Sequence, residues 1–173
     1  MIETATFKPA IVYTIYIVST LEKVWQALTS AEFSRAYFHG FDVVVDETVG
    51  GAFRVLMPDG TLHIGGEVIT YDPPHKLIVT FDLNWPGLSD ALGSTLVTYE
   101  IEQAGEAVKL TLIQSQDREL SDDILSGGRS GWPAILSNLK SLLETGKVAR
   151  IDMAPPARML AALQALGIKL PGG

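Results

Sequence analysis

Cysteine is absent from all 173 residues. Its absence excludes disulfides, thiolate nucleophiles and cysteine-ligated zinc. Positive charge is scarce: 13 Lys and Arg stand against 20 Asp and Glu, a formal net charge of −7. Phosphate binding needs a basic patch, so no nucleic-acid partner is expected, nor docking on an anionic membrane. Long hydrophobic runs are also missing. Ile11 to Val18 is apolar, but it is too short to span a bilayer and it alternates as a strand does. Nothing at the N-terminus has the pattern of a signal peptide, so the expected location is the cytoplasm. There is no GxSxG, no HExxH and no defensible Ser/His/Asp order. Gly50-Gly51 and Gly65-Gly66 precede no helix, so neither cradles phosphate, and no cofactor or metal is expected.

What the chain has is apolar material. Hydrophobic residues make up 47% and charged residues only 19%, which suits one domain with a sizeable core. Ala10 to Val18 is rich in β-branched and aromatic residues and reads as a first strand. Ser19-Thr20-Leu21-Glu22 has capping-box spacing, with Ser19 as the expected cap. A second short helix follows from Ser30 and buries Phe33, Tyr37 and Phe38. From Phe41 the period changes to two. Segments 41–45, 52–57, 61–71, 76–85, 94–102 and 107–115 read as strands joined by short turns, an antiparallel meander. Gly65-Gly66 marks a bulge or sharp bend. A short helix is expected at 121–125, broken by Gly127-Gly128. A long one then runs from Ser130 to Leu143 with Trp132, Ile135, Leu136, Leu139, Leu142 and Leu143 on one face and Gly146 as its stop.

Several segments carry a family resemblance. They are Glu22 to Phe38 (EKVWQALTSAEFSRAYF), Val49 to Val55 (VGGAFRV) and Asp59 to Phe81 with its PPHKL turn. Val97 to Ser115 and Ser130 to Gly146, with its GW pair, complete the set. Taken in this order, they resemble the START-like (SRPBCC) superfamily, in its subfamily of homologues of the activator of heat-shock-protein ATPase. The resemblance spans roughly residues 10 to 146. It implies an α+β helix-grip fold, with a curved antiparallel sheet around a long C-terminal helix and two short helices after the first strand. Residues 1–146 form the domain and 147–173 a helical tail outside the core pattern. The family often has a His where Gln114 stands, so a role for that imidazole does not carry over.

Many members of the superfamily hold small hydrophobic molecules between sheet and helix. By strand parity and helix spacing, the candidate wall is Trp25, Phe33, Tyr37, Phe38, Phe53, Val55, Leu62, Ile64, Val68, Phe81, Leu83, Trp85, Tyr99, Leu112, Trp132, Leu136 and Leu139, with Gln114 and His39 as polar members. Of the three histidines, His75 sits in a turn and reads as solvated, and His63 falls on the face opposite Leu62 and Ile64. His39 lies near the expected mouth. Glu67 and Asp82 lie inside strands, where alternation places them outward. A carboxylate turned inward would have its pKa raised and could act as a general base.

The leading functional expectation is non-enzymatic binding of a small hydrophobic molecule. One alternative is a cyclase- or hydratase-type enzyme using the same cavity, which requires an ionisable group among the wall residues. Another is a co-chaperone-like interaction module of the stress response, which would show an exposed apolar patch. In the tail, Pro155-Pro156 sets a helix start, Met159, Leu160, Leu163 and Leu166 form one face, and Gly167 sets a stop. So short an amphipathic helix must dock. A homodimer contact is the expectation, and a lid across the cavity mouth is the alternative.

Overall fold

A computed structural model of the chain describes residues 2–152 and 154–170. Strand β1 (Lys8–Ile17) leads into helices α1 (Leu21–Thr29) and α2 (Ala31–Tyr37). Strands β2 (Asp42–Val45), β3 (Ala52–Leu56), β4 (Leu62–Asp72), β5 (Lys76–Thr80) and β6 (Asp82–Leu83) follow, then a short helix α3 (Leu88–Leu92). Strands β7 (Thr95–Ala104) and β8 (Ala107–Gln116) precede the long helix α4 (Asp122–Thr145) and the tail helix α5 (Ala157–Ala165). The sheet is antiparallel, in the order β1-β8-β7-β5-β4-β3-β2, with β6 attached to β4 alone. Helix α4 lies against its inner face, where Trp132, Ile135, Leu136 and Leu139 are buried. This is the helix-grip arrangement.

Local chemistry explains the element ends. The cap of α1 is Thr20, whose hydroxyl accepts from the Lys23 amide at 3.2 Å, one residue later than expected; the Ser19 hydroxyl is buried without a partner. Ser30 is the cap residue of α2 but makes no side-chain cap bond. Buried Ser34 instead ties α2 to the next strand, donating to Phe41 O at 2.9 Å and accepting from Val43 N at 2.8 Å. At the free edge of the sheet, Lys140 donates to Tyr16 O and Glu144 accepts from Val18 N at 2.8 Å, so the end of α4 blocks further strand pairing there.

Three expectations about elements are corrected. First, segment 76–85 is two strands, because the chain breaks at Phe81. Its first part bridges β4 and β7, and its second pairs only with β4. Close approach permits this: a Cβ on Gly66 would overlap the Thr80 carbonyl oxygen. Second, the link between segments 76–85 and 94–102, expected as a short turn, holds a helix at Leu88–Leu92. Third, α4 runs unbroken through Gly127, Gly128 and Pro133, 24 residues or about 36 Å.

The two glycines serve close packing instead of ending the helix. A Cβ on Gly128 would stand 2.7 Å from Ile11 Cδ1 and 2.8 Å from Gln114 Oε1, and one on Gly127 would overlap Met159 Sδ. Pro133 has no N–H for the Arg129 carbonyl. Tyr13 supplies the missing donor, its hydroxyl reaching Arg129 O at 2.9 Å. Gly146 ends the helix at φ +75° as expected.

The tail docks on its own domain. Leu163 is fully buried and Ile168 nearly so, and they form a small cluster with Leu88 and Ile124 that is separate from the main core. Gly167 has φ +79°, with Gly167 N donating to Gln164 O and Ile168 N to Leu163 O, a Schellman close. That turn buries Ile168 and leaves Leu166 53% exposed, so Ile168 replaces Leu166 in the expected stripe. With the stripe already covered, the hydrophobic drive for a tail-to-tail homodimer is largely spent within one chain.

Candidate functional site

A cavity of about 470 Å³ lies between the inner face of the sheet, the first half of α4, and the α3 and tail segments. Its walls are aromatic. Phe81 and Trp132 lie 5.5 Å apart between centroids, and Phe38 meets Trp132 edge-on at 6.3 Å. Phe41, Leu83 and Trp85 extend this surface.

A polar strip crosses it. Trp132 Nε1 donates to Gln114 Oε1 at 2.8 Å, Gln114 Nε2 donates to Gln116 Oε1 at 2.9 Å, and Gln116 Nε2 donates to Thr95 Oγ1 at 3.1 Å. Gln114 is therefore not idle. Its amide joins the indole of α4 to the side chains at the end of β8.

Four ionisable side chains border the cavity: Asp152 from the tail, and three delivered by a departure from regular backbone. His39 sits at φ +55° between α2 and β2, a conformation uncommon for any residue but glycine. His63 is the extra residue of a β-bulge: Val55 pairs with Ile64 and Leu56 with Leu62, leaving His63 unopposed. Their rings flank Phe41 at 5.7 and 4.9 Å. Asp82 follows the break at Phe81 and accepts from Thr95 N at 2.9 Å.

Burial lowers the pKa of His39, and His63 nearby lowers it further; burial alone lowers that of His63. Burial raises that of Asp82, against hydrogen bonds from Thr95 and Ser94, and Asp117 adds to the rise. The cavity therefore favours the uncharged form of all three. Among the described residues, no group of three or more His, Asp or Glu is placed to hold a metal ion.

Of the sequence candidates, Phe38, His39, Ile64, Phe81, Leu83, Trp85, Gln114 and Trp132 line this cavity. Trp25, Phe33, Tyr37, Phe53, Val55, Leu62, Val68, Tyr99, Leu112, Leu136 and Leu139 do not; apart from the bulge neighbour Leu62, they pack in or against the main core. Trp25 stacks edge-on with Tyr71 at 5.3 Å, and Tyr37 donates to Ala27 O at 2.7 Å. Burial raises the phenol pKa values of Tyr37 and Tyr99. The half of the cradle nearer α1 is thus filled by its own side chains, and the space extends from the His39–Phe41–His63 rim towards α3 and the tail.

Sequence reasoning missed Phe41, His63, Asp82, Gln116 and the α3 residues Leu88 and Leu92, and gave the tail a place at the cavity mouth only as the alternative to a dimer contact. The i, i+4 pair Leu88 and Leu92 after Gly87 was a usable helix signal. The bulge that turns His63 inward has no mark in the sequence, so parity put that side chain on the wrong face.

Comparison with known proteins agrees with this geometry. The Aha1 dimer from Colwellia psychrerythraea superposes with a TM-score of 0.65 at 20% identity, over 79% of this chain and 97% of that one. An HSP90 activator from Plasmodium falciparum gives 0.62 at 23% identity, over 79% and 96%. DynU16, a protein of the dynemicin biosynthetic locus, gives 0.66 at 22% identity, over 82% of this chain and 49% of its own. At these identities the likeness is one of fold. No curated protein matches significantly. The family described as Activator of Hsp90 ATPase homolog 1-like protein matches residues 19–144, most of the chain, and the chain belongs to that family.

Proposed function

We propose that this protein binds a small, largely apolar molecule in the cavity between sheet and α4, without transforming it. The single observation that carries the reading is the cavity itself. About 470 Å³ falls in the range of small-molecule sites, and here it is walled by Phe38, Phe41, Phe81, Trp85 and Trp132 with a few convergent amides. Aromatic walls favour a flat, uncharged ligand, and the Gln114–Gln116–Thr95 strip offers it donors and acceptors along one edge. The test is titration with the neutral dye N-phenyl-1-naphthylamine. Saturable binding of one dye per chain, displaced by aromatic or fatty competitors, supports the reading; no saturable binding up to the dye's solubility limit removes it.

A second reading has its own observation. Asp82, its pKa raised by burial, borders the same cavity as two histidines whose pKa values are lowered, an arrangement suited to proton transfer in a cyclase- or hydratase-type enzyme. Turnover of a bound carbonyl compound that is lost in Asp82→Asn while dye affinity is kept would favour this reading. For a co-chaperone role, the supporting feature is the outward stripe of Val12 and Tyr16 on β1 and Val18 just beyond it, each more than half exposed. No described helix is long and apolar enough to cross a membrane, and we propose the cytoplasm as the site of action.

A further inference from the structure

The cavity's remaining wall comes from the tail. Asp152, Ala154, Pro155 and Met159 border it, facing Leu88 and Leu92 of α3. The walls from the sheet and the middle of α4 belong to the main core and cannot part without unfolding it, whereas α3 shares the small cluster of the tail. The tail belongs to the separate small cluster built on Leu88, Ile124, Leu163 and Ile168. A nine-residue helix holds its shape only while docked.

The connection to α4 is pinned at its start and then exposed. The Asn138 side chain donates to Ala149 O at 3.0 Å and accepts from Ala149 N at 2.9 Å, and Ser141 donates to Lys147 O at 2.6 Å. Beyond Ala149, the residues Arg150, Ile151 and Asp152 are exposed, as are Ala154 and Pro155 before α5. At the far side, Met159 fills the place where Gly127 has no side chain. Arg158 reaches Asp123 at only 3.9 Å, both more than half exposed, so no strong ion pair holds the helix down.

We propose that α5 is a hinged lid: it swings from Ala149, latches by seating Met159 against Gly127, and must lift for ligand to enter or leave. The proposal rests on the cavity being a ligand site. Local opening of one small cluster is far easier than global unfolding, so the lid opens while the grip fold persists. Ligand bound beneath it touches Met159 and Pro155, so occupancy holds the lid shut, and the lid in turn slows release.

The experiment measures N-phenyl-1-naphthylamine release by stopped-flow fluorescence, with hydrogen exchange of the α5 amides in parallel. Gly127→Ala leaves α4 intact, since alanine is the better helix former, but it evicts Met159. Its release rate should rise at least ~10-fold, the dissociation step being where most changes in affinity appear. Met159→Ala, which removes the latch side chain and leaves α4 untouched, should raise the release rate in the same direction. In the unaltered protein, the α5 amides should exchange well before those at the centre of α4, and the dye should slow them. Release unchanged in Gly127→Ala, or α5 exchange only through global unfolding, overturns the lid; ligand then passes by the His39–Phe41–His63 rim and the binding reading stands. A chain that binds no dye in any form removes both.

Discussion

Replacing Trp132 with alanine perturbs the cavity wall and the helix-to-sheet contact together. The indole is 4% exposed, meets Phe38 and Phe81 at 6.3 and 5.5 Å, and donates to Gln114 Oε1. Full truncation of a buried tryptophan costs about 3–5 kcal/mol. One side of this ring borders empty cavity, so fewer contacts are lost, and the expected cost is near the lower end, about 3 kcal/mol. Trp132→Phe keeps part of the ring packing but loses the rest of the indole together with the donor to Gln114, at about 1–2 kcal/mol. Urea denaturation followed by far-UV circular dichroism measures both, provided the slope against urea stays constant. A loss for Trp132→Ala below ~1 kcal/mol would refute the packing argument, because that is the scale of a surface substitution. Equal losses for Ala and Phe would mean that the hydrogen bond, and not the ring, carries the contact.

Other perturbations follow from single contacts. Gly66→Ala drives a methyl group into the Thr80 carbonyl and should destabilise by about 3 kcal/mol, read from the same denaturation curve. Tyr13→Phe removes the donor that replaces the missing Pro133 amide, at about 0.5–1 kcal/mol. In a Pro133→Ala background the helix supplies its own donor and the cost should shrink, which a double-mutant cycle measures. His39 and His63 have folded pKa values below the ordinary 6.5, so the unfolded chain binds more protons just under that pH. Stability should therefore fall as pH drops through 6.5 towards the lowered folded values. Asn at both positions should flatten that part of a melting-temperature profile; an unchanged profile would show that neither imidazole is shielded.

Most strands, the two helices after β1 and the C-terminal end of α4 are legible in the sequence, because each follows a local periodicity or a local turn signal. Val24, Trp25 and Leu28 fall on one face, strand 107–116 alternates over most of its length, and Gly146 stops its helix. Features that depend on distant partners are not legible. Gly127-Gly128 reads as a helix break until Met159, Ile11 and Gln114 are seen pressing on it. Leu62 to Ile64 reads as regular alternation, and only the pairing with β3 reveals the bulge that turns His63 inward. The aromatic residues of the cradle look alike in sequence. Whether a ring such as Phe53 packs or Phe81 borders space depends on how far α1 fills the groove, a tertiary quantity with no local mark.

The three tryptophans provide an internal control for the central claim. Trp85 and Trp132 border the cavity, whereas Trp25 packs against Tyr71 away from it. Each indole gives one N–H resonance in a ¹H–¹⁵N spectrum. On titration with N-phenyl-1-naphthylamine, the signals of Trp85 and Trp132 should shift together and saturate at one dye per chain, while that of Trp25 stays in place. A saturating shift at Trp25 with Trp85 and Trp132 unmoved, or no shift in any of the three, would contradict a ligand site between the sheet and α4.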